Sequence, residues 1–121
     1  MKAGGWCAYT SKGVTKSDKL AECLYKSAED NLKEYKVILE EGKKKGLYDK
    51  AQKYIRTDNS DGDKDYEANF YVLKNTKCPA VLTENLFQDN KSDVEFLSSD
   101  TGIHAISRIH IEGILNYLKD N

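Results

Sequence analysis

The chain has few of the residues and motifs that identify the common hydrolases. Its 121 residues include two histidines and one proline, and no HExxH, GxSxG or Walker A motif occurs. These absences argue against a zincin, a nucleophile-elbow serine hydrolase and a P-loop enzyme. No apolar run approaches the roughly 20 residues that a membrane-spanning helix needs. The start, MKAGGWCAYT, lacks the basic-then-apolar signal-peptide pattern, so any export signal is expected to lie elsewhere or to have been removed.

The chain also lacks an excess of positive or negative charge. Lys and Arg number 19 and Asp and Glu number 20, which gives a formal net charge of −1. Because phosphate binding needs clustered positive charge, this balance gives no case for a nucleic-acid partner. The length fits one domain, and we expect residues 1–121 to form a single one.

Cys7, Cys23 and Cys78 are widely spaced and form no CxxC pair. Neither a zinc knuckle nor a thioredoxin-like site is indicated. We interpret the three as small buried hydrophobic residues. At most one disulfide could form, and the sequence leaves open whether it does. A Cys–His catalytic pair has no local support but stays open.

The order of helix and strand signals predicts an α/β fold. The expected elements are a buried strand at 4–9, a helix at about 18–40 capped by Ser17, a weaker helix at 47–54, an irregular loop at 56–65, buried strands at 70–73 and 80–82, a helix beginning at Ser92 or Asp93, and a last helix capped by Thr101. The apolar side of that last helix is formed by Ile103, Ile106, Ile109, His110, Gly113, Ile114, Tyr117 and Leu118. Continuous apolar runs are typical of strands covered on both faces. We therefore expect a mostly parallel sheet flanked by helices.

Glu84 is the strongest candidate for a functional residue. The run 79–84 places its carboxylate where an apolar strand ends, and in open α/β sheets ligands bind at the carboxyl ends of strands. A partly desolvated carboxylate there is suited to proton transfer. The alternative is a strand-end glutamate that accepts a hydrogen bond from a loop amide, and strand position alone favours this alternative.

The acidic loop at 58–65 and the two histidines are candidate metal ligands. With Gly62 in the sixth place of an EF-hand loop, the twelfth place falls on Ala68, where a bidentate glutamate is required. A looser oxygen cage and a solvated acidic turn both remain open. His104 and His110 are six residues apart, whereas a helical zinc pair needs three or four. We expect His110 to be a hydrogen-bonded core residue and His104 to lie on the surface.

Residues 68–90 resemble the C-terminal half of the zinc-dependent N-acetylmuramoyl-L-alanine amidases, the amidase-3 family. The phrase Pro-Ala-Val-Leu-x-Glu-x-x-Phe-x-x-Asn of that family runs here from Pro79 to Asn90. Residues 94–97 and 103–118 follow in the family's order, and 5–9 and 19–21 resemble its preceding strand and helix. The likeness thus spans nearly the whole chain.

The resemblance implies cleavage of the amide between the lactyl group of N-acetylmuramic acid and L-alanine in peptidoglycan. It implies zinc as cofactor, Glu84 as base towards water and acid towards the leaving amine, and no catalytic role for Asn85 and Asn90, which would shape the adjacent loop. It also implies action in the cell envelope, periplasmic or secreted, on peptidoglycan or a muropeptide.

The chain lacks the phrases that hold the zinc ion in the family it resembles. The family's His-Gly-Gly and Ser-x-His-x-Asn-Ala phrases, which precede the strand matching residues 4–9, are absent from this sequence. The resemblance therefore implies the C-terminal part of an amidase-3 domain whose N-terminal part is missing. Zinc ligands are then absent, and the chain alone is expected to be inactive. The alternative is a non-catalytic muropeptide-binding or subunit-interaction module. A third possibility is that an exposed sheet edge lets two copies pair as a homo-oligomer.

Overall fold

The computed structural model describes residues 3–13, 15–60 and 62–120. Three strands and five helices are described: β1 (Trp6–Thr10), α1 (Lys16–Asn31), α2 (Lys33–Lys44), β2 (Tyr66–Glu67), α3 (Tyr71–Lys74), β3 (Leu82–Asn85), α4 (Lys91–Leu97) and α5 (Asp100–Asp120). The predicted α/β class is confirmed.

The sheet is small and mixed, with β1 in the centre and β2 and β3 on either side. β2 runs parallel to β1, while β3 runs antiparallel to it. An isolated parallel bridge joins Trp6 to Ile55. The expectation of a mostly parallel sheet therefore fails at β3, because the run that ends at Glu84 returns alongside β1 in the opposite direction. Strand direction depends on the path of the connection, which an apolar pattern does not encode.

The predicted strand at 70–73 is wrong, because these residues lead into the short helix α3. Tyr71 is 82% exposed and Val72 is 55% exposed, and only Leu73 of α3 is buried. An interior strand needs a covering layer on both faces, and no such layer meets this apolar run within the described residues.

The predicted long helix is two helices that meet at Leu32. Leu32 has φ −103° and ψ 14°, outside helical geometry, yet its side chain is fully buried. The apolar stripe therefore continues into α2 across a residue at which the regular helix is interrupted. The cap is Thr15 rather than Ser17: Thr15 and Asp18 form a reciprocal capping box.

The predicted weak helix at 47–54 is also wrong. The backbone of this segment bonds elsewhere, since Trp6 N–H donates to the Tyr54 carbonyl at 2.9 Å. A chain that supplies hydrogen bonds to a neighbouring strand cannot also form helical i to i−4 bonds with the same groups. The end of the segment, at Tyr54, therefore lies beside β1.

The two C-terminal helices begin close to their predicted starts. α4 begins at Lys91 and is capped by the Asn90 side chain, and α5 begins at Asp100. The buried face of α5 is formed by Gly102, Ala105, Ile109 and Gly113. Ile103, Ile114 and Leu118 are exposed, so the apolar side predicted for this helix is partly wrong. Among the described helices, α5 included, none is long and apolar enough to cross a membrane.

The core lies between one face of the sheet and helices α1 and α5. Trp6 and Ala8 of β1 pack there with Tyr25 of α1. The helices approach closely at Gly113, where an added Cβ would lie 2.6 Å from Leu24 Cδ2 and 3.1 Å from Leu24 Cα. Glycine at this position allows the two helices to share one tightly packed layer.

The fully buried Asp93 carboxylate joins the start of β1 to the end of β3. It accepts hydrogen bonds from Gly5 N–H at 2.8 Å and Phe87 N–H at 2.9 Å, and from the Tyr35 hydroxyl. Gly5 has φ 97° and Leu86, directly before Phe87, has φ 71°. Both residues thus occupy the left-handed region, which is uncommon for leucine. Asp93 holds the backbone next to each of these turns.

Replacing Asp93 by asparagine should destabilise the fold by about 1–3 kcal/mol, because a side-chain amide leaves one of these donors unpaired. Burial raises the pKa of the Asp93 carboxyl, although its hydrogen bonds act in the opposite direction. Its contribution to stability is therefore fully present below the unfolded pKa of about 3.9 and is lost as pH rises through the folded value. The stability gap between the original chain and Asp93→Asn should narrow as pH rises from about 3 towards 7.

Urea unfolding followed by the fluorescence of Trp6 at several pH values measures this gap. The matched control is Asp89→Asn, a change at an exposed position four residues away, which should alter stability by less than about 0.5 kcal/mol. A gap that widens with pH would contradict the role assigned to Asp93.

Candidate active site

Arg56, Cys7 and Glu84 form a row across the sheet. Glu84 lies directly opposite Cys7 in the antiparallel β1–β3 pair, and the Trp6–Ile55 bridge places Arg56 beside Cys7 on the other side. Trp6 and Ile55 pack into the core. Because side chains alternate between the faces of a sheet, the next residues on each strand point to the face away from α1 and α5. We refer to these three residues as the cross-sheet row.

Arg56 is held at both its backbone and its guanidinium. Its N–H donates to the Trp6 carbonyl at 2.8 Å, and its carbonyl accepts from the Tyr25 hydroxyl at 2.9 Å. The guanidinium lies 5.4 Å from the centre of the Phe87 ring and 5.9 Å from that of Tyr66, within the range of cation–π attraction. None of the ion pairs found among residues 3–13, 15–60 and 62–120 includes Arg56.

Aromatic side chains continue this face beyond the cross-sheet row. Tyr9 lies between Tyr66 and Leu82 in the strand register. Its ring centre is 5.3 Å from that of Tyr66 and 5.5 Å from that of Phe70. Apolar ring surfaces beside a few fixed polar groups are typical of small-molecule sites.

The electrostatics of the face follow from burial and from the two charged members of the row. The pKa of the Cys7 thiol is raised to about 11, chiefly by burial; the Arg56 charge lowers this pKa and the Glu84 charge raises it. Burial likewise raises the pKa of Tyr9, with smaller contributions from Cys7 and Glu84. Cys7 is therefore protonated at neutral pH and is not an activated nucleophile.

The opposite face of β3 carries a directed chain of hydrogen bonds. Trp6 Nε1 donates to Asn85 Oδ1 at 2.9 Å, and Asn85 Nδ2 donates to Thr83 Oγ1 at 3.2 Å. The Thr83 hydroxyl lies 3.0 Å from His110 Nε2, and His110 Nδ1 lies 2.8 Å from the Ile106 carbonyl. Since a carbonyl only accepts, Nδ1 carries a proton. Both ring nitrogens of His110 are thus hydrogen-bonded: Nδ1 within α5, and Nε2 to β3, which joins the helix to the sheet.

The predictions for the histidines are confirmed. His110 is a half-buried, hydrogen-bonded residue and His104 is exposed. Cys7 and His110 lie on opposite faces of the sheet, because Cys7 pairs with Glu84 whereas Thr83, one residue away, contacts His110. They cannot form a catalytic pair.

The interpretation of the cysteines as buried holds for one of the three. Cys7 is buried, Cys23 is half-buried and Cys78 is exposed, and none is in a disulfide. Cys78 lies directly before Pro79, where the chain approaches β3 along the surface.

The described residues bring three carboxylates together, but not at Glu84. Oxygens of Asp18, Asp63 and Asp65 lie within 4.8 Å of one another, and the Thr10 hydroxyl bonds both Asp18 and Asp65. An all-oxygen set suits hard cations rather than zinc, which prefers nitrogen and sulfur ligands. Thr10 is three residues beyond Cys7 and points to the other face of β1. This donor set does not fit the zinc that the resemblance implies.

Sequence reasoning named Glu84 as a candidate but did not name Arg56, which it counted only as the first residue of a polar loop; the structure places both residues beside Cys7. A signal was present: residues 54–56 continue directly from an expected helix into that loop, without a helix-ending glycine. The bridge to Trp6 that brings Arg56 onto this face depends on tertiary contacts and has no sequence pattern of its own.

Glu84→Gln should lower the pKa of the Cys7 thiol from about 11, because the substitution removes the nearby negative charge that disfavours the thiolate. The pH dependence of the Cys7 ¹³Cβ chemical shift measures this, in a background with Cys23→Ser and Cys78→Ser. Glu40→Gln, at an exposed position of α2, is the matched control and should leave the titration unchanged. An unchanged or higher Cys7 pKa in Glu84→Gln would show that the two side chains do not share a face.

Comparison with curated proteins gives partial matches to an endolysin and to an N-acetylmuramoyl-L-alanine amidase. The chain is 42% identical over 72 residues to the endolysin of Bacillus phage SPP1, covering 60% of this chain and 25% of that protein. It is 51% identical over 47 residues to the N-acetylmuramoyl-L-alanine amidase CwlM of Bacillus licheniformis, covering 39% of this chain and 19% of that protein. The chain thus spans a quarter or less of the length of these relatives.

A solved structure shows the same fold over nearly the whole chain. The CwlD amidase from Clostridioides difficile, in a complex with the GerS lipoprotein, superposes with a TM-score of 0.64 at 21% identity, over 99% of this chain and 49% of that chain. The sequence profile of N-acetylmuramoyl-L-alanine amidase (Amidase_3) matches residues 2–116. Because that match spans almost all of the sequence, the chain belongs to the Amidase_3 family of N-acetylmuramoyl-L-alanine amidases.

Proposed function

We propose that this chain supplies the substrate-binding face and the proton-transferring carboxylate of a peptidoglycan amidase. The reaction is hydrolysis of the amide between N-acetylmuramic acid and L-alanine. The cross-sheet row supports the proposal. Glu84, the glutamate of the family phrase, lies on an aromatic face across Cys7 from Arg56. Arg56 forms no ion pair among the residues that the structure describes. Action in the cell envelope is part of the same proposal.

Glu84 would move protons in two steps. Its carboxylate accepts a proton from the attacking water as the carbon–oxygen bond forms, and it returns that proton to the amide nitrogen as the carbon–nitrogen bond breaks. The products are the lactyl carboxylate and the amine of L-alanine. General acid–base catalysis of this kind contributes about 10²–10⁴ in rate, which by itself leaves amide hydrolysis very slow.

The histidines and the aspartate cluster limit what the chain does alone. His110 is committed to Thr83 and Ile106, and the three clustered aspartates suit a hard cation. We therefore assign binding and proton transfer to the cross-sheet row. We assign to this chain no step that depends on zinc. The same observation favours a second candidate function, non-catalytic binding of muropeptides.

The 121-residue chain should bind N-acetylmuramoyl-L-alanine without cleaving it, with or without added zinc. In a ¹⁵N NMR titration, the largest shifts should fall on Cys7, Tyr9, Glu84 and Phe87, because these residues line the proposed face. Glu84→Gln should still bind, and chromatography should detect no muramic acid release from either protein. Shifts confined to other parts of the chain would contradict the assignment, and zinc-dependent release by the original chain would contradict the expected lack of cleavage.

A complementation experiment distinguishes the two candidate functions, proton transfer in amide hydrolysis and non-catalytic binding of muropeptides. A separate polypeptide carrying the family's His-Gly-Gly and Ser-x-His-x-Asn-Ala phrases is added to the chain, and release of muramoyl products is measured. If Glu84 is the proton-transfer group, release should appear with the original chain and fall at least about 10²-fold with Glu84→Gln. A purely binding module predicts no release with either chain.

A further inference from the structure

Arg56 has the environment of a ligand-binding arginine rather than a structural one. Both of its backbone polar groups are hydrogen-bonded, and its guanidinium lies over two rings. The side chain also borders a cavity of about 170 Å³, whose wall includes Gly4, Gln52, Lys53 and Tyr66. Arg56 is thus a half-buried cation whose position is fixed, and it forms no ion pair with a carboxylate among the residues that the structure describes. Such a cation can bind an anion.

We propose that Arg56, assisted by Lys53, binds the α-carboxylate of the residue that follows the L-alanine in the peptide part of the substrate. This inference rests on the proposed function and adds to it the chemical class that the site selects. A guanidinium presents donors in a rigid fork that matches a carboxylate with two parallel hydrogen bonds. The rings of Phe87 and Tyr66 hold the plane of that fork, so less side-chain entropy is lost on binding.

The width of the cross-sheet row agrees with the size of such a ligand. Neighbouring strands lie about 4.8 Å apart, so the backbones of Arg56 and Glu84 are roughly 10 Å apart across Cys7. Consecutive residues of a peptide are about 3.8 Å apart, which puts a carboxylate on the next residue roughly 4–7 Å from the scissile amide. Side chains extending inward from both ends of the row can therefore reach the amide and the carboxylate of one ligand.

The test uses two ligands that differ by one charge. These are N-acetylmuramoyl-L-alanyl-D-glutamic acid, whose α-carboxylate is free, and N-acetylmuramoyl-L-alanyl-D-isoglutamine, in which an amide replaces it. The original chain should bind the acid about tenfold more tightly than the amide, in NMR or calorimetric titration. Arg56→Gln should bind the two equally and should bind the amide ligand about as well as the original chain does.

Arg108→Gln is the matched control, since Arg108 is exposed on α5 and pairs with Glu112; it should keep the full preference for the acid. Arg56→Lys retains the charge without the fork and should keep only part of the preference, which provides a test if Arg56→Gln fails to fold. Equal binding of both ligands by the original chain would overturn this inference and leave the proposed function standing. Binding of neither ligand would overturn both.

Discussion

The buried carboxylate of Asp93 is the constraint on which the rest of the structure depends. It comes from α4 and binds the backbone next to Gly5 and Leu86, where β1 begins and β3 has just ended. Leucine adopts a left-handed conformation only where its surroundings compensate for the cost. Through these two bonds Asp93 fixes the two strands whose pairing places Glu84 opposite Cys7.

The two faces of the sheet differ in how their polar groups are paired. On the helical face the polar groups satisfy one another, as the chain from Trp6 through Asn85 and Thr83 to His110 shows. On the other face Arg56 and Glu84 flank Cys7, and the Arg56 guanidinium lies beside two aromatic rings. A fully satisfied network makes one face rigid, and that rigidity positions the residues of the other face.

The prediction of Glu84 rests on a local signal, an apolar run that ends in a carboxylate, together with a family phrase, and its role stays a prediction. The prediction of the strand at 70–73 failed because an apolar run does not reveal whether anything covers it, and Tyr71 is in fact largely exposed. Leu32 shows a third case, in which the sequence predicts the apolar stripe but not the interruption of the helix within it.

The sequence by itself determined the α/β class, the approximate starts of α4 and α5, the family and the candidate glutamate. These rest on local capping and periodicity, or on a contiguous phrase. Only the tertiary structure decided that β3 is antiparallel to β1, that Asp93 is the buried connection between them, and that Arg56 joins Cys7 and Glu84 in one row. The pairing of segments far apart in the chain depends on which side chains can share a core and satisfy each other's hydrogen bonds, and no local pattern carries that information.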